Sequence, residues 1–229
     1  MVQIEGLQKL TLLDFPSRVA CTVFFGGCNF RCPFCHNGTL VKTGKGEGIE
    51  MDTFFSFLKK RQGILDGVAV SGGEPLLQKD IADFLYRIKE MGFAVKLDTN
   101  GSFPKKLRSL AEASLIDYVA MDIKAPLARY SELAGVEIDQ SAIAESAAFL
   151  LSGHLDYEFR TTLVKPYHTL SDMKDIGKWI KGAKRYFLQG FVDSGDLIGQ
   201  GMEAFSKEEA NAFLEAARTY IPSAALRGI

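Results

Sequence analysis

Residues 19–35 read Val-Ala-Cys-Thr-Val-Phe-Phe-Gly-Gly-Cys-Asn-Phe-Arg-Cys-Pro-Phe-Cys. An apolar run, Val19–Phe25, gives out at two glycines, and three cysteines follow at C-x3-C-x2-C spacing. A short apolar run bounded by turn residues reads as a buried strand. The same event recurs at Gly67–Ser71, Phe93–Asp98, Tyr118–Ile123, Tyr157–Val164 and Arg185–Phe191. Helical patterns fill the intervals: Met51–Arg61, Gln78–Met91, Pro104–Ala113, Ile143–Leu151, Leu170–Lys181 and Ser206–Tyr220. Asp52 and Ser206 are candidate N-caps, Glu209 follows Ser206 at capping-box spacing, and Pro104 suits a first turn.

Six β-α units imply a parallel sheet with helices on its faces. Nearly continuous apolar strands fit a sheet covered on both sides. Periodicity leaves a doubly wound sheet and a partial (βα) barrel open. A barrel places its chemistry at the C-terminal ends of the strands. Those ends read GGC (from 27), SGGEP (71–75), DTNG (98–101), MDIK (121–124), VKPYH (164–168) and LQGF (188–191), far more polar and glycine-rich than the starts. One site assembled by several loops fits this pattern.

The chain has 229 residues, 47% hydrophobic and 24% charged, which excludes disordered and collagen-like classes. A chain of that length buries roughly 70–75% of its unfolded surface without staples. We expect one domain over residues 1–229. Lys and Arg number 27 against 28 Asp and Glu, so a nucleic-acid footprint is not expected. No apolar run reaches transmembrane length, and the opening MVQIEGLQKLTLLDF lacks the parts of a secretory signal. The expectation is a reducing cytoplasm, where thiols stay available to metal.

All four cysteines, Cys21, Cys28, Cys32 and Cys35, lie in one fifteen-residue stretch, whereas a disulfide scaffold would spread them. Cys21 alternates with Val19 and Val23 and reads as a buried core thiol, a fourth ligand being the alternative. Structural zinc closes with four ligands. His36 is nominally available, but its adjacency to Cys35 makes simultaneous tetrahedral ligation awkward. A four-iron cluster usually takes four cysteines. Three would leave one iron open to a non-protein ligand, and an open position means chemistry. Between these, a non-enzymatic metal-binding module is the reading from a different class.

Cys28, Cys32 and Cys35, with the aromatic Phe34 before the last, resemble the radical S-adenosylmethionine (SAM) signature. The string GCNFRCPFCHN resembles the activating proteins of glycyl-radical enzymes. IEGLQKLTLLDFP followed by VFFGGCNFRCPFCHNGTLV is most similar to those of anaerobic ribonucleoside-triphosphate reductase. The resemblance extends through the GGEP, DTNG and MDIK blocks. It implies a partial (βα)6 TIM-like barrel and a [4Fe-4S] cluster on Cys28, Cys32 and Cys35. It also implies reductive cleavage of SAM to a 5′-deoxyadenosyl radical, which takes a hydrogen from a glycine of a partner enzyme. The implied partner is anaerobic ribonucleotide reductase, with flavodoxin or ferredoxin as reductant. Activation of a pyruvate formate-lyase type of enzyme, or small-molecule radical chemistry, is the alternative.

The resemblance also assigns residues. Gly72, Gly73 and Glu74 bind the SAM amino group, glycines allowing close backbone approach; an ordinary strand-to-helix turn is the alternative. Asp98 helps hold that amino group; Lys124, from its place at a strand end, is positioned to pair with the SAM carboxylate, a solvated strand-end charge being the alternative. Asp122 pairs with Lys124, or joins Asp98 in a monovalent cation site. Arg160 is a charge inside a strand, expensive unless paired; it meets the SAM carboxylate or substrate, or forms an ion pair with Glu158 or Asp122. Gln189 and Phe191 are placed to contact adenine, and His36-Asn37 to hydrogen-bond near the cluster. His168 reads as a solvated loop residue and His154 as a surface residue. The glycine-rich, charged stretch Lys42–Gly48 reads as a flap that orders on partner binding.

Overall fold

The computed structural model describes Val2 and residues 4–42 and 48–229. The expected flap falls, over 43–47, outside the described residues. The strands are β1 (Ile4–Thr11), β2 (Ala20–Phe25), β3 (Gly67–Gly72), β4 (Ala94–Thr99), β5 (Tyr118–Asp122), β6 (Asp156–Leu163), β7 (Tyr186–Gly190) and β8 (Ala225–Arg227). The helices are α1 (Gly38–Lys42), α2 (Met51–Lys59), α3 (Ile81–Glu90), α4 (Pro104–Glu112), α5 (Tyr130–Ala134), α6 (Gln140–Leu151), α7 (Leu170–Trp179) and α8 (Lys207–Arg218). The strands form one eight-stranded sheet in sequence order, with β1 antiparallel to β2 and the registered pairs β2·β3, β3·β4, β6·β7 and β7·β8 parallel. This is the mostly parallel α/β fold expected, with β2 to β7 as the six predicted strands.

Two strands and two helices add to the prediction. β1 is an edge strand whose middle faces solvent, so it carries no alternation to read. β8 has three residues, and α1 and α5 five each, too short for a 3.6-residue period to register. Asp52 is not the N-cap of α2: Glu50 holds that position, without a side-chain bond, and Asp52 sits inside the first turn. An acidic group there still complements the helix dipole. Ser206 and Glu209 form the predicted capping box, and Pro104 opens α4.

The chain divides into two compact units, Met1–Asn29, Thr39–Thr99 and Lys105–Val119 in the first, Phe30–Gly38, Asn100–Pro104 and Ala120–Ile229 in the second. In the first, register aligns Cys21, Val68 and Val95, and likewise Val23, Val70 and Leu97. All six are fully buried. Phe25 on the same face meets Phe84 of α3 edge-on at 5.2 Å, and Phe84 stacks on Phe54 of α2 at 5.4 Å. Such ring pairs add about 0.5–1.5 kcal/mol each beyond area burial. The opposite face carries Thr22, Phe24, Ala69, Ser71, Lys96 and Asp98. In the second unit, Phe159, Thr161, Tyr186 and Leu188 share a face, with the Tyr186 hydroxyl on Met173 Sδ of α7 at 3.5 Å. The other face carries Glu158, Arg160, Thr162, Phe187 and Gln189. In each unit one face is mainly apolar core and the other carries the charged side chains. No helix of the described residues is long and apolar enough to cross a membrane.

Candidate active site

In the first unit, the GGE turn stands against the root of the loop that leads to Cys28. Gly73 N donates to Phe25 O and Glu74 N to Gly27 O, both at 2.8 Å. Gly72 has φ +117°, and a Cβ on either glycine would collide with backbone, of Phe25 at Gly72 and of Gly27 at Gly73. The close approach these glycines allow is therefore to the root of the cysteine loop. A ligand amino group seeks acceptors, so these spent N–H donors do not compete with it. Gln78 Nε2 donates to Gly26 O at 2.9 Å, and Gly27 N to Leu40 O at 2.8 Å, which fixes that root from two further sides.

Glu74 is fully buried, and its Oε1 accepts from Leu76 N and from Thr99 Oγ1, each at 3.0 Å. Its carboxylate joins the turn after β3 to the end of β4. Asp98 accepts from Ser71 Oγ at 3.1 Å and pairs with the Lys96 ammonium, itself 1% exposed. Sequence reading missed Lys96. Its signal was the i, i+2 spacing with Asp98, which puts both on one face of a strand.

Cys32 and Cys35 lie in the second unit. A tight turn brings Cys35 N to Cys32 O at 3.0 Å. Arg31 N donates to Ala134 O at 2.7 Å, and Gly135, at φ +69°, lets that crossing occur, since a Cβ there would strike Arg31 O. Gly199 N donates to Pro33 O at 2.8 Å, Gly38 N to Asp196 O at 2.9 Å, and Ser194 Oγ to His36 O at 3.0 Å. The irregular chain after β7 thus straps the cysteine loop along its length. Phe34 is buried against Tyr167 at 5.8 Å and His168 at 6.0 Å, so it supports the loop from beneath. His36 lies over Phe191 at 5.7 Å, and burial holds its imidazole below the ordinary range. His154 is exposed, as expected, and stacks on Phe149.

At the end of β5, Asp122 Oδ1 accepts from Arg160 Nε at 2.8 Å and Oδ2 from Lys124 Nζ at 3.0 Å. Removal from water pushes Asp122 up, but Arg160 and Lys124 outweigh it and hold the carboxyl well below the carboxylate range. Burial opposes the charge of Lys124, yet Asp122 and then Cys32 raise it above the usual ammonium value. Arg160 has taken Asp122 as its partner; Glu158 pairs instead with Arg227, at 2.8 and 3.2 Å. Asp98 and Asp122, the two cation candidates, each hold a basic side chain. Gln189 is half-buried beside Thr162 and Arg227 in the register.

His168 corrects the sequence reading. It is 4% exposed, not solvated, with Nδ1 accepting from Val164 N at 3.2 Å and Nε2 on Lys124 O at 3.0 Å. A lone loop histidine carries no periodicity, so the sequence gives no sign of its burial.

None of the four cysteines forms a disulfide. Burial pushes Cys21 up to about 12, consistent with an inert core thiol. Among the described residues no three His, Cys, Asp or Glu side chains converge on a single-ion site. Soft thiolates suit a polynuclear iron–sulfur cluster, which takes one thiolate per iron. The donor set of Cys28, Cys32 and Cys35 fits such a cluster.

A model of the radical SAM superfamily matches residues 22–180. Protein MJ1227 of Methanocaldococcus jannaschii, provisionally named a glycyl-radical enzyme activating enzyme, is 30% identical over 233 residues, 99% of this chain and 96% of that one. The pyruvate formate-lyase-activating enzyme of Listeria monocytogenes is 34% identical over 134 residues, 53% of either chain, so that match spans about half of each. Among solved structures, Streptococcus suis SuiB matches with TM-score 0.70 at 14% identity, over 89% of this chain and 47% of that one. At that identity the likeness is one of fold, and it agrees with the expected partial barrel.

Proposed function

The chain belongs to the radical SAM superfamily, and from that premise we propose that it activates a glycyl-radical enzyme, anaerobic ribonucleotide reductase above others. The family works with a [4Fe-4S] cluster and SAM, which together supply reductive cleavage of a sulfonium carbon–sulfur bond and so a carbon radical able to take hydrogen. In our reading Cys28, Cys32 and Cys35 hold the cluster. The observation that carries this is the C-x3-C-x2-C spacing of three cysteines outside any disulfide, on a loop pinned by backbone bonds.

The chain's own residues do the placing. Gly72 and Gly73 bring their backbone to the amino end of SAM, and Glu74 holds that turn rigid. Asp98 offers the amino group a carboxylate oriented by Ser71 and Lys96. Lys124 and Arg160 offer two cations to the SAM carboxylate while Asp122 orients both. Gln189 and Phe191 serve the adenine end. We read residues 1–229 as one radical SAM domain, because the eight-residue cysteine motif belongs in part to each unit. The substrate is a glycine-bearing protein segment, and the reductant a flavodoxin or ferredoxin.

The test is anaerobic reconstitution with iron and sulfide, reduction by dithionite and addition of SAM. Release of methionine and 5′-deoxyadenosine supports the reading; a colourless protein holding one zinc refutes it. Purified anaerobic ribonucleotide reductase and pyruvate formate-lyase are then offered in parallel. A glycyl doublet in the electron paramagnetic resonance (EPR) spectrum on the first assigns the partner. A doublet on the second alone transfers the assignment to the pyruvate formate-lyase type, which the Listeria relative's name favours.

A further inference from the structure

Two buried aromatic residues grip the same three-residue backbone segment. Tyr130 Oη donates to Asp122 O at 3.0 Å and accepts from Lys124 N at 3.2 Å. His168 Nδ1 accepts from Val164 N, which places the ring proton on Nε2, facing Lys124 O at 3.0 Å. Asp122 and Lys124 are thus fixed through the carbonyl of one and both backbone groups of the other. Each gripping ring also touches the cysteine loop. Tyr130 meets Phe30 edge-on at 6.4 Å, and His168 meets Phe34 edge-on at 6.0 Å. Phe30 and Phe34 flank Cys32 by two residues on either side. Trp179 backs Tyr130 at 6.3 Å.

A buried tyrosine or histidine must satisfy its polar atoms somewhere. Ordinary packing does not require both to choose the segment carrying Asp122 and Lys124. Nor does it require both to rest on the aromatic neighbours of one cysteine. We propose that Tyr130 and His168 are positioning residues: a two-pronged clamp that holds the Asp122–Lys124 segment in fixed register with the loop of Cys32. The ammonium that meets the SAM carboxylate is thereby set relative to the cluster. The proposal rests on the assignment of Lys124 made above. Neither side chain touches the reacting atoms. Their effect is on where Lys124 stands, and a displacement of a fraction of an ångström weakens a charge-assisted bond.

The experiment uses the full reconstituted chain with Y130F, H168F and H168Q. Y130F deletes one oxygen and keeps the ring. H168F removes both ring nitrogens and keeps contact with Phe34, and H168Q restores a donor for Lys124 O. Iron and sulfide content and the EPR spectrum of the reduced cluster without SAM are expected to match wild type. The SAM concentration that produces half of the SAM-dependent EPR change should rise about tenfold in Y130F and H168F, about 1.4 kcal/mol of binding. KM for SAM should follow it with kcat little altered, and H168Q should recover most of the loss. If H168F loads less iron, Y130F decides. Unchanged SAM affinity in Y130F and H168F, beside a wild type that responds normally, overturns the clamp and leaves the proposed function standing. A wild type with no SAM-dependent EPR change overturns the proposed function, and the clamp with it.

Discussion

Arg160 reaches from the middle of β6 to place its Nε 2.8 Å from Asp122 Oδ1 at the end of β5. With Lys124 on Oδ2, one carboxylate orients two cations. D122N leaves both without their counter-charge. Breaking a buried pair costs about 3–5 kcal/mol. Asp122 keeps 29% of its side chain in water, which reduces this to about 1–3 kcal/mol. The carboxyl is held below its ordinary value of about 3.9, so its contribution is complete above that value. It is lost as pH falls from about 4 toward the depressed folded-state value. Urea unfolding at pH 7 and pH 3 should show D122N losing less stability on acidification than wild type. Equal losses would remove Asp122 as the responsible group.

The four cysteines should separate cleanly. C32A removes a proposed iron ligand and is expected to abolish both cluster loading and SAM cleavage. C21A trims a buried core thiol facing Val68 in the register, at a cost of about 1–2 kcal/mol, and should load iron normally. Iron content and the visible spectrum after anaerobic reconstitution measure both. Iron loss in C21A would return Cys21 to the ligand set.

These contrasts mark what sequence carries. The six strands β2 to β7 were legible because burial makes them nearly continuous apolar runs, as in Val68–Val70. The cysteine loop was legible because its chemistry depends on spacing along the chain. β1 was not, because an edge strand buries only its ends. Tyr130 and His168 were not, because their value lies in hydrogen bonds to Asp122 and Lys124, made across the fold by a five-residue helix and a loop. Arg160 was flagged as a charge in a strand, but its partner is decided by geometry: Glu158 is two residues away in sequence and pairs with Arg227.

Gly73 should tolerate no side chain. A Cβ there overlaps the Gly27 carbonyl oxygen, and the backbone on both sides is tied by the bonds to Phe25 and Gly27. G73A is therefore expected to displace the root of the cysteine loop and to cost about 2–4 kcal/mol. Gly63 makes the comparison: its φ of +75° strains any substitution, but no atom lies within 4 Å of its Cβ position. G63A should cost about 1 kcal/mol and leave iron loading unchanged. Thermal melting and iron content of the two variants test this. A G73A protein that melts and loads like wild type would mean the turn relaxes away from Gly27.

Glu74 and Thr99 should be energetically coupled. Glu74 Oε1 accepts the Thr99 hydroxyl and the Leu76 N–H in a site with no solvent exposure at Glu74. Deleting the acceptor in E74A costs about 1–3 kcal/mol, because buried donors lose the partner for which they gave up water. E74Q keeps an oxygen in place and should cost less than half of that, since a charge-assisted bond becomes a neutral one. T99V removes the other member of the pair. In a double-mutant cycle of E74Q, T99V and the combined variant, residues in direct contact give interaction energies of about 0.5–3 kcal/mol. We expect a value near 1 kcal/mol by urea unfolding, together with a parallel loss of SAM affinity, because the same bond ties the turn after β3 to the end of β4. Additivity within about 0.3 kcal/mol would show that Glu74 holds the turn through Leu76 alone.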